Sequence, residues 1–416
     1  METRENCCPT ALGDVRVLDL ADQKGNYCTK LLADLGADVL KIEPPGGDPT
    51  REIGPYVGDE PHPERSLYFF HFNTSKRSIT LNIEKPEGRA IFRRLVERAD
   101  VLVETYQPGY LDGLGLGYEA LRELNRGLIM TSITGFGQTG PYRDYKSCDI
   151  VATAMGGLMS LTGFPEDPPV RPGASQGNHQ AAILGAAGTM VALYDRDITG
   201  LGRHVDISMQ EGMALTIIQS ATQYYDLYGI LHKRFGEFSP LGVPGARVIF
   251  PCRDGWVTFT PYNLNVPGGR WEELVEWMDS EGMAGDLKDE KWSDVWYLFN
   301  HISEAQETLA RFLQRKTKQE IYEGAQSRGM LSMPVNTTAD LLADVQLQAR
   351  GFFVAVDHSE LDRTLTYPGA PYRLTETPWR IARRAPLIGE HNQQVYEGEL
   401  GYSARELDLL RAEGII

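Results

Sequence analysis

The chain has 416 residues, and its 57 Asp and Glu against 41 Lys and Arg leave a formal charge of −16 at pH 7. That balance disfavours nucleic acid as a partner, and a phosphate-rich ligand could be held only by a local group of cations. The length exceeds one ordinary core and points to two or three domains.

The opening METRENCCPT has no apolar run of the kind a secretory signal needs. Val15–Leu20 reads as a buried strand, Cys28–Leu35 as a helix and Ala37–Glu43 as a second strand, which makes a βαβ unit opening an α/β domain. The loop between them, Ala21–Tyr27, holds Gly25 but lacks G-x-G-x-x-G, so a dinucleotide reading is weak. Ser78–Asn82 alternates like a strand just after the adjacent cations Lys76 and Arg77, which suit either a solvated turn or a phosphate. Pro86–Ala99 has a helical pattern, Val101–Glu104 a strand pattern, and Thr105–Gly109 (TYQPG) a turn. Glycines 113, 115 and 117 read as turn residues before another helix, and Leu128–Ile133 as a further buried strand.

Val170–Tyr194 is the organising stretch. A turn delivers Asn178–His179 to the start of a long helix, where unpaired N–H groups and the helix dipole favour negative charge. Ala181, Ala182, Gly185, Ala186, Ala187 and Gly188 suit close packing of that helix. Its apolar run, 181–194, is too short to span a bilayer, so no membrane partner is expected. Gly173–Gly177 is formally G-x-S-x-G around Ser175, but a nucleophile elbow needs a strand before the serine, and Pro168–Pro172 cannot form a central strand. His179 has no carboxylate at a recognisable spacing to orient it, which favours a packed or capping role. Gly200–Gln210 reads as the last strand of the first domain. Residues 225–345 differ in character, with helical patterns at Arg270–Ser280 and Ala305–Gln314 and a hairpin within Val248–Thr260 turning at Asp254–Gly255. The five cysteines show no metal-ligand spacing, and their odd number disfavours a disulfide framework; a reduced, cytoplasmic setting without metal is expected.

Several multi-residue runs occur in one order: VRVLDL with LLADLGADVLKIEPPGGDPTR, NTSKRSITLN, TYQPG, GFGQTGPYRDYKSCD, SQGNH, TGLGRHVDIS, MPVNTT, YPGAPYRL and APLIGEHN. In this the chain resembles the CaiB/BaiF family, the family III CoA-transferases, along essentially its whole length. The resemblance implies a Rossmann-like large α/β domain of residues 1–220 completed by a tail at 375–416, a small α/β domain at 225–345 and a connecting segment at 346–374. It also implies interlocked dimers whose active sites lie between the large domain of one subunit and the small domain of its partner. Coenzyme A or an acyl-CoA is the implied substrate, with contacts at Gln23, Lys24, Lys76, Arg77, Leu81, Asn82, Thr105, Tyr106, Gln107, Lys146 and Cys148.

The chain departs from the family where chemistry is concentrated. The transferases carry a nucleophilic aspartate at the position matching Asn178, and an amide cannot form the mixed anhydride and thioester that follow from carboxylate attack. Pro44 and Gly113 stand where relatives place basic CoA contacts, and Pro240–Gly245 replaces a glycine run that closes over the acyl group in the formyl branch. Cys148 falls where racemases have histidine, so the pair of proton carriers that racemisation needs is missing. The expectation is one subunit of a heteromeric transferase whose homologous partner supplies the aspartate, as in the succinyl-CoA:(R)-benzylsuccinate type. The alternatives are a homodimeric acyl-CoA enzyme using Asp149 and His179 as acid and base, and a non-catalytic acyl-CoA-binding or regulatory homologue.

Overall fold

The computed structural model describes residues 10–217, 221–238, 245–260 and 270–416. Of the loop Pro240–Gly245, only Gly245 lies within the described residues. The chain divides into two compact units, one of Met1–Leu158, Arg171–Gly229 and Gln346–Ile416, the other of Met159–Val170 and Ile230–Val345.

In the first unit six short segments become strands: β1 Arg16–Leu20, β2 Asp38–Glu43, β3 Arg77–Thr80, β4 Val101–Glu104, β5 Ile129–Thr134 and β6 His204–Ser208. They form one sheet in the order β3-β2-β1-β4-β5-β6, with every pairing parallel. This is the doubly wound Rossmann-like order, whose direction reverses between β1 and β4. Alternation along each strand sends side chains to two cores. Val17, Val39, Val101, Val103 and Ile133 pack on one face with Leu32, Ala181 and Ala182, while Leu18, Leu40, Leu102 and Met130 pack on the other with Phe92, Leu95 and Tyr396. The inner strands are buried on both faces along nearly their whole length, whereas edge strand β6 alternates between exposed and half-buried residues along most of its length.

The helix Gln176–Thr199 lies against β5, β6 and the helix Asn26–Asp34. A Cβ at Gly185 would come within 2.8 Å of Ile133 Cδ1, so a glycine is what permits this approach. The outer face of the same helix is also apolar, with Ile183, Met190, Val191, Tyr194 and Ile198 exposed. Among the described residues no helix is long and apolar enough to cross a membrane.

The second unit holds an antiparallel sheet, β7 Ile249–Cys252, β8 Gly255–Phe259 and β9 Ser332–Pro334, in the order β7-β8-β9. Phe250, Val257 and Phe259 pack with Trp277, Trp292, Leu309 and Phe312 from the surrounding helices and turns. Cys252 pairs with Gly255, so the hairpin turns at Arg253–Asp254, one residue before the reading from sequence.

Three segments fall differently from the expected domain limits, the shortest being 225–229, which groups with the first unit. Residues 159–170 group with the second unit, and 346–374 is part of the first unit instead of a separate connection. Within the latter, β10 Phe353–His358 and β11 Arg363–Pro368 form an antiparallel hairpin. Val356 and Tyr367 pack with Phe69 and Phe70, and His358 Nε2 lies 2.9 Å from the Tyr367 hydroxyl. Burial of these aromatic and β-branched side chains draws the segment onto the first unit. The tail joins the same unit, where Val395, Tyr396, Leu400 and Ile415 are buried and the Asn82 N–H donates to the Ile415 carbonyl at 2.7 Å.

Candidate active site

Ser175 precedes the helix Gln176–Thr199, but its side chain makes no capping hydrogen bond. Asp149, at the start of the helix Asp149–Met155, supplies the cap from elsewhere in the chain. Its Oδ1 accepts from the backbone N–H groups of Gly177 at 2.8 Å and Asn178 at 3.3 Å. A carboxylate at a helix start satisfies unpaired donors and meets the positive end of the dipole. One oxygen of the residue expected as an acid or base is therefore engaged in holding Asn178 in place. The other, Oδ2, lies 3.4 Å from Nη2 of the half-exposed Arg171. No strand precedes Ser175, so the geometry of a nucleophile elbow is absent.

Asn178 is 3% exposed, and its Oδ1 has no hydrogen-bond partner among the described residues. An unsatisfied buried acceptor costs about 1–3 kcal/mol, which marks this corner as one where a donor from outside the chain would be stabilising. His179 is half-buried, its ring 5.7 Å from Tyr27 and 5.6 Å from Phe72. Burial holds its imidazole below the usual value, opposed by Asp149. Nearby His71 is pushed down to about 4 by burial, reinforced by Lys30 and His179, and is neutral at pH 7. Tyr68 stacks at a tilt on Phe72 with centroids 4.7 Å apart. His179 thus packs among aromatic rings that the sequence did not point to; the four-residue spacing of Tyr68 and Phe72 was the available signal.

The structure corrects the placement of two expected phosphate-binding cations. Lys76 is fully buried, and its Nζ donates to Asp19 Oδ2 at 2.9 Å, Thr29 Oγ1 at 2.8 Å, Asn73 Oδ1 at 2.8 Å and the Asn26 carbonyl at 3.1 Å. Burial pushes its amine down to about 8, and Asp19 opposes the shift. Arg77 grips Asp38 through Nε at 2.8 Å and Nη2 at 2.6 Å, and Glu399 through Nη1 at 2.5 Å. Both cations are consumed by internal carboxylates, which leaves them no face for a ligand. Lys24 pairs with Asp22, while Gln23, Lys146 and Cys148 are exposed.

Four other expected contacts come together. A cavity of about 460 Å³ opens at the carboxyl ends of β1, β2, β3 and β4, where an open parallel sheet receives its ligand. Leu81, Asn82, Thr105 and Tyr106 line it with Pro44, and Tyr110, Asp22, Asp48 and Glu84 were not anticipated. Gly113 ends the helix Tyr110–Gly113 and is not among the lining residues. Of the expected contacts, this cavity gathers Leu81, Asn82, Thr105 and Tyr106.

Gln107 instead borders a smaller cavity of about 210 Å³ with Glu104, Ser132 and His204. Ser132 Oγ lies 2.9 Å from His204 Nε2, and Glu104 Oε2 accepts from Tyr106 N–H at 2.7 Å. Burial raises the Glu104 carboxyl to about 7, offset in part by hydrogen bonds from Ser132 and Tyr106. Because this value is above that of an unfolded glutamate, its contribution to stability is full below the unfolded value and is lost as pH rises through about 7. Glu104→Gln is accordingly expected to stabilise the protein at pH 8 relative to pH 5 by on the order of 3 kcal/mol. Thermal melts of both proteins at the two pH values test this; parallel pH dependence would contradict it.

Among the described residues no group of three or more His, Cys, Asp or Glu is arranged to hold a metal ion. A model of CoA-transferase family III matches residues 12–392. The succinyl-CoA:(R)-benzylsuccinate CoA-transferase subunit BbsE of Thauera aromatica is 37% identical over 407 residues, covering 96% of this chain and 97% of that protein. A succinyl-CoA–D-citramalate CoA-transferase of Chloroflexus aurantiacus is 35% identical over 410 residues, 98% of each. The crystal structure of a CaiB/BaiF family protein from Brucella suis superposes with a TM-score of 0.83 at 30% identity, covering 94% of this chain and 99% of that one. The chain belongs to CoA-transferase family III, the CaiB/BaiF family.

Proposed function

We propose that this chain is the non-nucleophilic subunit of a heteromeric CoA-transferase that moves CoA from a donor such as succinyl-CoA to an acid such as benzylsuccinate. The observation that carries the reading is the amide at Asn178, buried at the helix start where the family's transferases hold their aspartate. In the complex the partner's aspartate attacks the donor thioester to give an anhydride and CoA thiolate. The thiolate then displaces the donor acid to leave an aspartyl-CoA thioester. The acceptor carboxylate attacks that thioester to give a second anhydride and CoA thiolate, and the thiolate then attacks the acceptor carbonyl, forming the acceptor's CoA ester and releasing the aspartate carboxylate. An amide oxygen, its lone pairs delocalised into the C–N bond, supports none of these attacks.

Two further features support an assembly. The helix bearing Asn178 is apolar on its outer face as well as its packed one, and such a face ordinarily meets another protein surface. The Thauera aromatica relative is itself named as a subunit. The homodimeric reading through Asp149 is weakened because one carboxylate oxygen already caps the helix.

The test is to purify the chain alone and with an aspartate-bearing homologous subunit, and to follow CoA transfer from succinyl-CoA to benzylsuccinate by chromatography. The expected result is no turnover by the chain alone and transfer by the mixture. Robust turnover by the isolated chain would contradict the reading.

A further inference from the structure

The β4, β5 and β6 side of the sheet carries a second cluster of titratable side chains, apart from Asn178. Glu104 ends β4, Ser132 stands across from it in register on β5, and His204 opens the neighbouring strand β6. All three line the cavity of about 210 Å³. They differ in access to water. Glu104 is 4% exposed and Ser132 is fully buried, whereas His204 is exposed on the edge strand.

The contacts form a chain. Ser132 Oγ lies 2.9 Å from His204 Nε2 and also hydrogen-bonds the Glu104 carboxyl, while Glu104 Oε2 accepts from the Tyr106 N–H at 2.7 Å. A serine hydroxyl has one proton and two lone pairs, so Ser132 donates to only one of its two neighbours at a time. If that proton points to His204, Nε2 is unprotonated and the carboxyl is the acid that donates to Oγ. If it points to Glu104, the carboxyl is ionised and Nε2–H donates to Oγ.

The surroundings poise the carboxyl between these two states. Burial raises it to about 7, with Ser132, the Tyr106 N–H and Lys24 opposing and Asp112 reinforcing the shift. On the histidine side, packing lowers the hold of the imidazole on a proton, opposed by Asp206, Asp112 and Glu119. Tyr118 stacks on the ring with centroids 5.2 Å apart, Arg122 pairs with Glu119, and the Asp206 carboxylate accepts from the Gln138 N–H at 3.0 Å.

We infer that Glu104, Ser132 and His204 form a proton relay that carries the proton of a buried carboxyl to the surface and sets the tautomer of His204 by the charge of Glu104. With Glu104 as the acid, Ser132 donates to Nε2 and the imidazole proton is on Nδ1. On deprotonation the Glu104 O–H bond breaks as its proton passes to Ser132 Oγ, and the original Ser132 O–H bond breaks as its proton passes to Nε2. The Nδ1–H proton then leaves the exposed ring for water. One proton has departed in total, and the neutral imidazole has changed from the Nδ1–H to the Nε2–H form. Glu104 is left charged, so its bond from the Tyr106 N–H becomes a charge-assisted one, which tightens the turn Thr105–Gly109 as pH rises. The relay does not depend on the subunit reading, so either can fail without the other.

The experiment is nitrogen NMR of the full-length chain carrying isotopically labelled histidine, recorded on either side of neutral pH, with His204→Gln identifying the resonances. The two ring nitrogens report which of them carries the proton. The proton is expected to move from Nδ1 to Nε2 with a midpoint of about 7, and the Tyr106 amide proton should shift downfield with the same midpoint. Glu104→Gln, whose amide keeps a donor for Ser132 and cannot ionise, should hold His204 in the Nδ1–H form throughout. Ser132→Ala, which removes the bridge, should leave a tautomer that does not respond to pH, with circular dichroism as the check on folding of both variants. A His204 tautomer that is the same on both sides of the transition in the unaltered chain, or a switch that persists in either folded variant, would overturn the inference.

Discussion

Asn178→Asp, which restores the family's nucleophile at constant side-chain size, is expected to give no appreciable covalent adduct when the isolated chain meets an acyl-CoA. Attack requires the thioester to be held at near-attack distance, and correct placement can supply ~7–11 kcal/mol of a barrier. Lys76 and Arg77 are committed to Asp19, Asp38 and Glu399, and Pro44 lines a cavity without cations, so the chain offers little to hold the phosphates of CoA. The new carboxylate would also be buried close to Asp149, whose Oδ1 is 3.3 Å from the backbone nitrogen of residue 178. Burial and a neighbouring like charge both favour the protonated, unreactive acid. Hydroxylamine or borohydride trapping followed by mass spectrometry decides the matter. A stoichiometric adduct on the introduced aspartate would show that only the nucleophile was missing and would favour a homodimeric enzyme.

Lys76→Ala is expected to destabilise the protein severely, by about 3–5 kcal/mol, because it leaves Asp19 buried without its ammonium partner. The fall in melting temperature should be on the order of 10 °C. Lys24→Ala, which removes a cation paired with its near neighbour Asp22 at the surface, should cost no more than about 1 kcal/mol. Denaturant melts of the two variants beside the unaltered chain separate the cases. A Lys76 variant that melts like the unaltered chain would contradict this.

The contrast between those lysines shows where the sequence was legible. Strands such as Val101–Glu104 and the start of the helix carrying Asn178 were readable because their signals are local: short apolar runs, a turn, then small residues at helical spacing. The role of Lys76–Arg77 was not. Two adjacent cations look the same whether they face water or carboxylates, and their partners Asp19, Asp38 and Glu399 lie 57, 39 and 322 positions away. The capping of Asn178 by Asp149 was hidden for the same reason, at a separation of 29 residues. The hairpin of β10 and β11 carried a local signal in the apolar run FVAV at the start of β10.

The most direct measurement of the central claim is to trap the intermediate in the assembled heteromer and map it by peptide mass spectrometry. With succinyl-CoA as donor, the account predicts that all of the hydroxylamine- or borohydride-trapped product lies on the aspartate of the partner subunit, and none on the peptides of this chain that contain Asp149 or Asn178–His179. Trapped product on Asp149 or on any other residue of this chain would contradict it.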